Sequence, residues 1–308
     1  MSVPSLGRES GQQTGKPPPP SPRWGEGRRL EFIDFRLQWQ GRLNRSDLTS
    51  FFGISVPQAS LDIAKYTEMA PGNLAYDRRA RVYVTLGSFQ PLFPGTSNPA
   101  SYLSELLAQA AGLLDEEASF ASWRPPVAVV PNPARALNPD IVIALLACIR
   151  QGAGVRTLYQ SMSRTEPLRR EFTPHALAHD GFRWHVRGFC HERQQFRDFV
   201  LARLLELEST ERRGPNAEED VAWWTEVELV LAPHPKLSKA QQRAIELDYA
   251  MVRGETRLKC RRALIFYVLR HLGLDRPDGD SPQAVQIVLK NRKALEASGV
   301  LVPSTQAT

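Results

Sequence analysis

The stretch GRLNRSDLTSFFGISVPQAS, residues 41–60, decides the fold of the N-terminal part of the chain. Asn44 precedes a short amphipathic run, and Gly53 follows it where a helix commonly ends in a left-handed residue. Ser55 then opens a second helix as a capping box, in which it accepts from the Gln58 amide while the Gln58 side chain reaches back. Two helices joined by a tight glycine-containing turn predict a helix-turn-helix.

The flanking sequence extends this motif on both sides. Aromatic residues at helical spacing predict a first helix over residues 28–39. Alternating patterns predict strands over 73–76 and 81–85, joined by the turn Asp77-Arg78-Arg79-Ala80. Three helices followed by a hairpin with a basic tip predict a winged helix-turn-helix domain over residues 28–90.

Residues 1–27 contain six prolines and five glycines. Such a segment buries too little apolar surface to offset its ordering entropy, which predicts a disordered tail.

The side chains of the winged helix-turn-helix favour a double-stranded DNA partner. A net charge of +6 is compatible with nucleic acid, and the exposed residue types can bond to base edges or phosphates. The predicted DNA contacts are Asn44, Arg45, Ser55, Gln58, Ser60, Lys65, Arg78, Arg79 and Arg81. The alternative is a helical subdomain with a solvated, charged hairpin, and it is the order of the elements that favours DNA.

The middle of the chain changes from helical to strand periodicity. Residues 91–153 predict a helical linker, with one helix beginning near Tyr102 and another at Pro139. Short alternating runs, separated by turn signals such as Asp180-Gly181, predict strands over 155–163, 171–179, 182–192 and 195–208. Antiparallel strands in series predict a small β-barrel over residues 154–210.

Arginine, histidine and hydroxyl groups recur along these strands, and all 11 cations of residues 151–213 are arginines. The planar guanidinium binds phosphate or carboxylate through two parallel hydrogen bonds. Because residues two apart share a strand face, we expect a surface for a phosphorylated ligand or single-stranded nucleic acid. Its expected contacts are Tyr159, Ser161, His175, His185, Arg187, Arg193, Arg197 and Arg203. The alternative is a solvated face with surface ion pairs to Glu192 and Asp198.

Motifs for catalysis, metals and cofactors are missing from the sequence. Four of the six histidines lie between residues 175 and 191, but their spacings of 4, 6 and 6 match no compact ligand motif. The three cysteines form no C-x-x-C pair and are expected to be apolar fillers in a reducing compartment. The Gly152-Ala153-Gly154 segment lacks the Lys-Ser/Thr of a phosphate-binding loop. We therefore expect neither enzymatic activity nor a cofactor or metal.

Residues 220–300 predict a third unit of mixed α/β content. An edge-like strand is predicted over 225–231, and helices are predicted from Ser238 toward Val252, over 263–272 and over 282–297. The longest apolar run, Ile141–Ile149, is far shorter than a membrane span. Four prolines stand at 17–20, where a signal peptide would carry its apolar core, so a cytoplasmic location is expected.

Two groups of motifs resemble a known family. The run Arg183-Trp184-His185-Val186-Arg187-Gly188-Phe189, followed by residues 196–204, resembles the core of a WYL domain, with Trp-His-Val in place of the naming triplet. Residues 41–48 and 53–60 resemble the winged helix of the phage-defence-associated WYL repressors, the CapW and BrxR types found beside CBASS and BREX systems.

The resemblance implies a homodimer that binds an inverted-repeat operator and represses a phage-defence operon. It also implies an Sm/SH3-like WYL barrel that senses a ligand, nucleic acid among the candidates, and a C-terminal extension that helps dimerisation. The predicted fold class is therefore α+β multidomain, with a winged helix-turn-helix, a helical linker, the WYL barrel and an α/β extension. A transcriptional activator of the same architecture and a nucleic-acid processing factor remain as alternatives.

Overall fold

The computed structural model describes residues 25–115, 118–131, 133, 135–275 and 282–301. The chain divides into two compact units, Met1–Pro131 and Asn132–Thr308. Most of the predicted N-terminal tail lies outside the described residues, and its last part differs from the expectation because the first helix already begins at Glu26. No helix in the described ranges is long and apolar enough to cross a membrane.

The described part of the first unit contains helices and a three-stranded antiparallel sheet with the order β1-β3-β2. The elements are α1 (Glu26–Gln40), β1 (Arg42–Leu43), α2 (Arg45–Phe52), α3 (Val56–Met69), β2 (Leu74–Asp77), β3 (Val82–Thr85), α4 (Pro94–Ser97) and α5 (Pro99–Ala110). The predicted three helices and hairpin are confirmed. The two-residue strand β1 was not predicted, because its only signal is its pairing with β3 forty residues further along the chain.

Glycine and serine residues terminate and cap these helices at the positions that the sequence predicts. Gly41 and Gly53 take positive φ values of 69° and 64° and terminate α1 and α2. The Ser55 hydroxyl accepts from the Gln58 backbone N–H at 3.3 Å. The reciprocal half of the predicted capping box is wrong, since the Gln58 side chain donates to Asp62 Oδ1 at 3.0 Å instead of returning to Ser55. The buried carboxylate one turn further along the helix competes with the exposed Ser55 N–H for this amide.

The core of the first unit combines aliphatic side chains with a cluster of aromatic rings, and it contains a buried polar group. Asp34 lies on α1, fully buried, and accepts from the Tyr66 hydroxyl and from the backbone N–H groups of Leu92 and Phe93. These bonds tie α1, α3 and the segment after β3 together. In α5, Tyr102 stacks on Trp39 with 4.6 Å between ring centroids, so this helix packs with the winged core.

The second unit begins with α6 (Pro139–Gln151), which packs on a five-stranded antiparallel sheet with the order β7-β6-β5-β4-β8. Its strands are β4 (Gly154–Tyr159), β5 (Leu168–His179), β6 (Trp184–Cys190), β7 (Gln195–Val200) and β8 (Leu204–Thr210). The single strand predicted over 195–208 is wrong, because a 3₁₀ turn at Leu201–Arg203 divides it. Phe199, Val200 and Leu201 are buried in succession, which breaks the alternation of one continuous strand.

The sheet is open in the described strand pairings. Strands β7 and β8 lie at the two ends of the order, and their registers join β7 to β6 and β8 to β4. The structure therefore shows a five-stranded antiparallel sheet, while closure into a barrel is not part of the observed pairing.

The C-terminal part packs helices against a second antiparallel sheet with the order β10-β9-β11. Its elements are α7 (Val221–Trp224), β9 (Glu226–Pro233), α8 (Lys239–Asp248), β10 (Thr256–Arg261), α9 (Ile265–His271), α10 (Pro282–Val285), β11 (Ile287–Leu289) and α11 (Arg292–Ala297). The predicted edge position of β9 is wrong, since β9 is central. The helix predicted over 282–297 is also wrong, because Gln286 takes a positive φ of 59° and the next residues pair with β9.

Candidate functional site

The exposed side of α3 differs in part from the predicted set of DNA contacts. Ser55 caps the helix, and the Ser60 hydroxyl donates back to the Val56 carbonyl at 3.0 Å. Lys65 Nζ lies 2.7 Å from Glu26 Oε1, and both side chains are half exposed. Leu61, not predicted, projects from the same helix with 64% of its surface exposed.

The hairpin between β2 and β3 carries arginines at its tip, as predicted. Asp77 Oδ1 accepts from the backbone N–H groups of Arg79 and Ala80 at 2.8 and 3.0 Å, which fixes the turn. The Arg78, Arg79 and Arg81 side chains are exposed, and none has a hydrogen bond or ion pair within the described residues. The tip therefore presents three neighbouring guanidinium groups, none of which is paired with a carboxylate in the described part of the chain, and it is suited to phosphate.

The two remaining predicted DNA contacts lie at the start of α2. The Asn44 backbone N–H donates to Asp47 Oδ2 at 2.6 Å, so this residue forms the N-terminal cap of the helix. Arg45 is exposed, and its Nη2 donates to the Tyr83 hydroxyl at 3.3 Å. That bond connects the start of α2 to the hairpin.

In the second unit, the predicted ligand residue Arg187 lies at the centre of a buried charge network. Its Nε and Nη2 donate to the two oxygens of Asp220 at 2.6 and 2.9 Å, and its Nη1 donates to Asp198 Oδ1 at 3.0 Å. The Arg187 and Asp220 side chains are 8% and 2% exposed. Two carboxylates therefore compensate this guanidinium, which differs from the free anion-binding group that the sequence predicted.

Two predicted histidines join the same network. His175 Nε2 lies 2.9 Å from Asp220 Oδ2, and His185 Nε2 lies 2.8 Å from Asp180 Oδ2. Burial lowers the pKa of His175, although the nearby Asp220 opposes the shift. Both imidazoles are thus held by carboxylates.

The network continues into the C-terminal part through Tyr267 on α9. The Tyr267 hydroxyl donates to Asp198 Oδ2 at 3.0 Å and lies 3.4 Å from His185 Nδ1. Burial, together with the adjacent Asp198 carboxylate, raises the pKa of Tyr267 far above its ordinary value. The phenol therefore stays protonated and donates. Asp220, in turn, caps α7 by accepting from the Trp223 N–H at 3.2 Å.

The other predicted ligand residues lie outside this network. Arg193 and Arg197 are exposed at or beside the β6–β7 turn, Arg203 is half-buried in the 3₁₀ turn, and none of the three side chains has a partner within the described residues. The Tyr159 hydroxyl accepts from the Val200 N–H at 3.2 Å. Ser161 contacts Ser163, with 3.4 Å between the hydroxyl oxygens. The structure thus separates the predicted surface into a buried network and exposed arginines.

A cleft of about 270 Å³ opens between the β5–β6 hairpin and the C-terminal helix α9. Its walls are mostly apolar, with contributions from Ala178, Leu258, Val268 and Leu272. Asp180, His185 and Tyr267 also line it. The cleft therefore gives solvent access to the end of the charge network.

Each of the four clustered histidines contacts a nearby side chain or backbone group. Besides His175 and His185, His191 Nε2 lies 3.0 Å from the Thr173 hydroxyl, and His179 Nδ1 accepts from the Gly181 N–H at 3.3 Å. Among the described residues, no group of three or more histidine, cysteine, aspartate or glutamate side chains could hold a metal ion.

The sequence reasoning missed the acidic and phenolic members of the network. The sequence indicates Asp180 only as a turn residue and Asp198 only as a surface ion-pair partner, while Asp220 and Tyr267 belong to no motif. The available signal was chemical, because an arginine on the inward face of a strand requires buried acidic partners. That rule does not identify which carboxylates of the chain are the partners of the arginine.

Three family models match successive parts of the chain. They are the BrxR transcriptional regulator winged helix-turn-helix domain over residues 25–108, the WYL domain over 140–209 and the BrxR transcriptional regulator C-terminal dimerization domain over 226–295. These matches confirm the resemblance expected from the sequence motifs.

Curated relatives match over nearly the whole chain. The DNA-binding transcriptional repressor CapW of Escherichia coli (strain KTE188) is 45% identical over 296 residues, which cover 96% of this chain and 99% of the relative. The DNA-binding transcriptional repressor CapW of Pseudomonas aeruginosa is 48% identical over 275 residues, which cover 89% of this chain and 92% of the relative.

A solved structure, Proteasome accessory factor B/C (PafBC) of Arthrobacter aurescens, is 16% identical with a TM-score of 0.28. The match covers 96% of this chain and half (50%) of that one. At that score, the likeness supports no statement about fold or function.

The charge network predicts a pH-dependent loss of stability in Asp220→Asn. Burial alone would raise the pKa of Asp220, but hydrogen bonds from Arg187 and His175 outweigh it and lower the pKa. The stabilisation is therefore complete above the unfolded-state pKa of about 4 and is lost as the pH falls through the lower folded-state value. We expect Asp220→Asn to lower the free energy of unfolding by about 3 kcal/mol at pH 7 and by less at pH 3.

Urea denaturation at one protein concentration measures this difference at each pH. Asp248→Asn, the same change at an exposed carboxylate at the end of α8, is the control and should cost little at either pH. Equal losses in the two variants at pH 7 would contradict a stabilising role for the network.

Proposed function

The chain belongs to the CapW family of DNA-binding transcriptional repressors, and from that membership we propose that it is a homodimeric, sequence-specific DNA-binding repressor. The observation that carries the proposal is the winged helix-turn-helix geometry. It combines a 14-residue helix, α3, with an exposed face and a hairpin tip of three arginines that have no ion-pair partner within the described residues.

In the proposal, helix α3 and the hairpin tip make different kinds of contact with DNA. Helix α3 enters the major groove, where residues near its N-terminus contact base edges. Arg78, Arg79 and Arg81 contact phosphates or the minor groove, and Arg45 adds a further phosphate contact beside the hairpin. Phosphate contacts position the protein, and the base contacts of α3 give sequence preference.

Dimerisation through residues 226–295 supplies the second half of the operator contact. Two copies related by a twofold axis present two α3 helices, which would occupy major grooves about 34 Å apart on an inverted repeat. The Sm/SH3-like closure of the WYL sheet is also part of this proposal. It would place β7 beside β8, the two strands that the short 3₁₀ turn connects.

The test is fluorescence anisotropy of the full-length protein with the duplex upstream of its own coding sequence. A scrambled duplex is the control, and about 150 mM salt suppresses weak phosphate binding. The proposal expects selective binding to the native duplex, and a reporter under that promoter should rise when the protein is removed. Equal binding to both duplexes would refute sequence-specific recognition, and a fall in the reporter would indicate an activator.

Arg79→Ala should weaken binding to the native and scrambled duplexes alike. Each lost phosphate contact reduces counterion release by about one ion. Because the dimer loses one Arg79 contact in each half-site, the slope of log K against log salt should become shallower by about 1.8. Anisotropy titrations at several salt concentrations measure both effects. Arg164→Ala, which removes an exposed loop arginine from the second unit, is the matched control and should change neither. An unchanged salt slope in Arg79→Ala would remove the hairpin tip from the interface.

The proposal further includes a sensing role for the WYL domain in control of a phage-defence operon. The exposed Arg193 and Arg197, with the half-buried Arg203, provide guanidinium groups for an anionic or nucleic-acid ligand. Such a ligand can release the operator only if it binds two conformers of the dimer unequally. Arg187 would act in this switch through its carboxylate partners, since those partners already compensate its charge.

Arg197→Ala should preserve operator binding and abolish release by the ligand, because the exposed guanidinium contacts only that ligand in the proposal. A release assay with short single-stranded DNA, short RNA and mononucleotides, read by anisotropy on the bound operator, checks this expectation. Arg270→Ala, at an exposed arginine on α9, is the control. Wild-type release in Arg197→Ala would place the sensing site elsewhere.

A further inference from the structure

A buried carboxylate lies beneath the N-terminal half of α3. Asp62 is 1% exposed, and the Arg29 guanidinium on α1 binds it with two hydrogen bonds, Nε to Oδ2 at 2.7 Å and Nη2 to Oδ1 at 3.1 Å. The Gln58 amide, one turn earlier on α3, donates from Nε2 to Asp62 Oδ1 at 3.0 Å. The three side chains form a connected row that leads from α1 to the surface of α3.

The chemistry of this row sets the orientation of the Gln58 amide. A carboxylate paired with a guanidinium accepts hydrogen bonds and donates none, so the NH₂ group of Gln58 must point toward Asp62. The bidentate guanidinium also fixes where the carboxylate lies. Gln58 Oε1 has no hydrogen-bond partner among the described residues, and Gln58 itself is only partly buried.

An amide held in this way has one acceptor and one remaining N–H on its outer edge. That pair is complementary to the major-groove edge of adenine, where the N6 amine donates and N7 accepts. Gln58 lies in the first turn of α3, the part of a recognition helix that contacts base edges. The orientation of the Gln58 side chain is therefore fixed before it contacts any base.

We propose that Asp62, held by Arg29, is a positioning residue that orients Gln58 for bidentate recognition of one adenine in each operator half-site. The inference rests on the proposed function, since it assumes that α3 enters the major groove. It adds three details to that function: the base that is recognised, the donor and acceptor atoms of Gln58 that contact the base, and the buried carboxylate that orients those atoms.

Selection of bound duplexes from a random pool tests this inference with the full-length protein. Wild type, Gln58→Ala, Asp62→Asn and Arg29→Lys are compared, with Glu68→Gln as the matched control. Glu68→Gln makes the same carboxylate-to-amide change on α3 at an exposed residue that has no partner within the described ranges. The readout is base preference at each position, which a merely structural effect on overall affinity would not change selectively.

We expect the wild-type protein to select a consensus sequence. Gln58→Ala should lose the base preference at one A·T pair in each half-site of that consensus. Replacing that adenine in the wild-type complex should weaken binding about tenfold, and 7-deazaadenine, which lacks N7, should also weaken it. Asp62→Asn should reduce the discrimination to about threefold or less at the same pair alone, because an asparagine amide can present either its oxygen or its NH₂ to Gln58. Arg29→Lys, which keeps the charge but loses the bidentate grip, should give a smaller relaxation there.

Failure of the proposed function and failure of this inference give different results in the selection. No consensus with wild type would refute the proposed function itself. Two results would overturn the inference and leave the repressor proposal intact. In the first, Gln58→Ala loses base preference at a G·C pair. In the second, Asp62→Asn keeps the wild-type consensus. Circular dichroism verifies that each variant is folded, and if Asp62→Asn unfolds, Arg29→Lys decides the outcome, with unchanged discrimination counting against positioning.

Discussion

The second unit depends on the compensation of one buried guanidinium. Arg187 lies on β6 with its side chain buried, where an unpaired charge would cost several kcal/mol. Asp198 on the neighbouring strand and Asp220 after the sheet supply the two carboxylates. Asp198 also accepts from Tyr267 on α9, so one charge network joins the WYL sheet, the segment that follows it and the C-terminal dimerisation domain. A shift of the sheet relative to α9 must break or rearrange these bonds, so a conformational change in the WYL sheet would be transmitted to the dimerisation domain.

The DNA-binding unit uses the same principle on a smaller scale. Arg29 and Asp62 form an ion pair beneath α3, and the proposed role of this pair is to orient the Gln58 amide, which donates to Asp62. The hairpin arginines, by contrast, have no carboxylate partners within the described residues, so they remain available to phosphate. In both proposals, the internally paired charges position other side chains, and the exposed charges without a partner in the described residues contact the ligand or DNA.

Local chemistry made the first unit largely predictable. The glycine-terminated helices, the Ser55 cap and the Asp77 turn depend on residues a few positions apart, and all were visible in the sequence. Several of the failures depend on contacts with residues distant in the chain, whereas the predicted strand over 195–208 fails for a local reason, the 3₁₀ turn at Leu201–Arg203. The Gln58 side chain turns to Asp62 because Arg29 holds that carboxylate, and strand β11 replaces part of a predicted helix because it pairs with β9. Alternation placed His175, His185 and Arg187 on one face, but no periodicity shows that three aspartates and a tyrosine would enclose them.

A double-mutant cycle on Asp198→Asn and Tyr267→Phe tests most directly whether the sheet and the dimerisation domain share one network. The free energy of unfolding of wild type, both single variants and the double variant is measured by urea denaturation at one fixed protein concentration, since dimerisation contributes to stability. We predict a coupling energy of about 1 kcal/mol or more, as expected for a hydrogen bond to a charged group in a shared network. Additivity within about 0.3 kcal/mol would contradict it. The sheet and α9 would then be neighbours without a shared charge network.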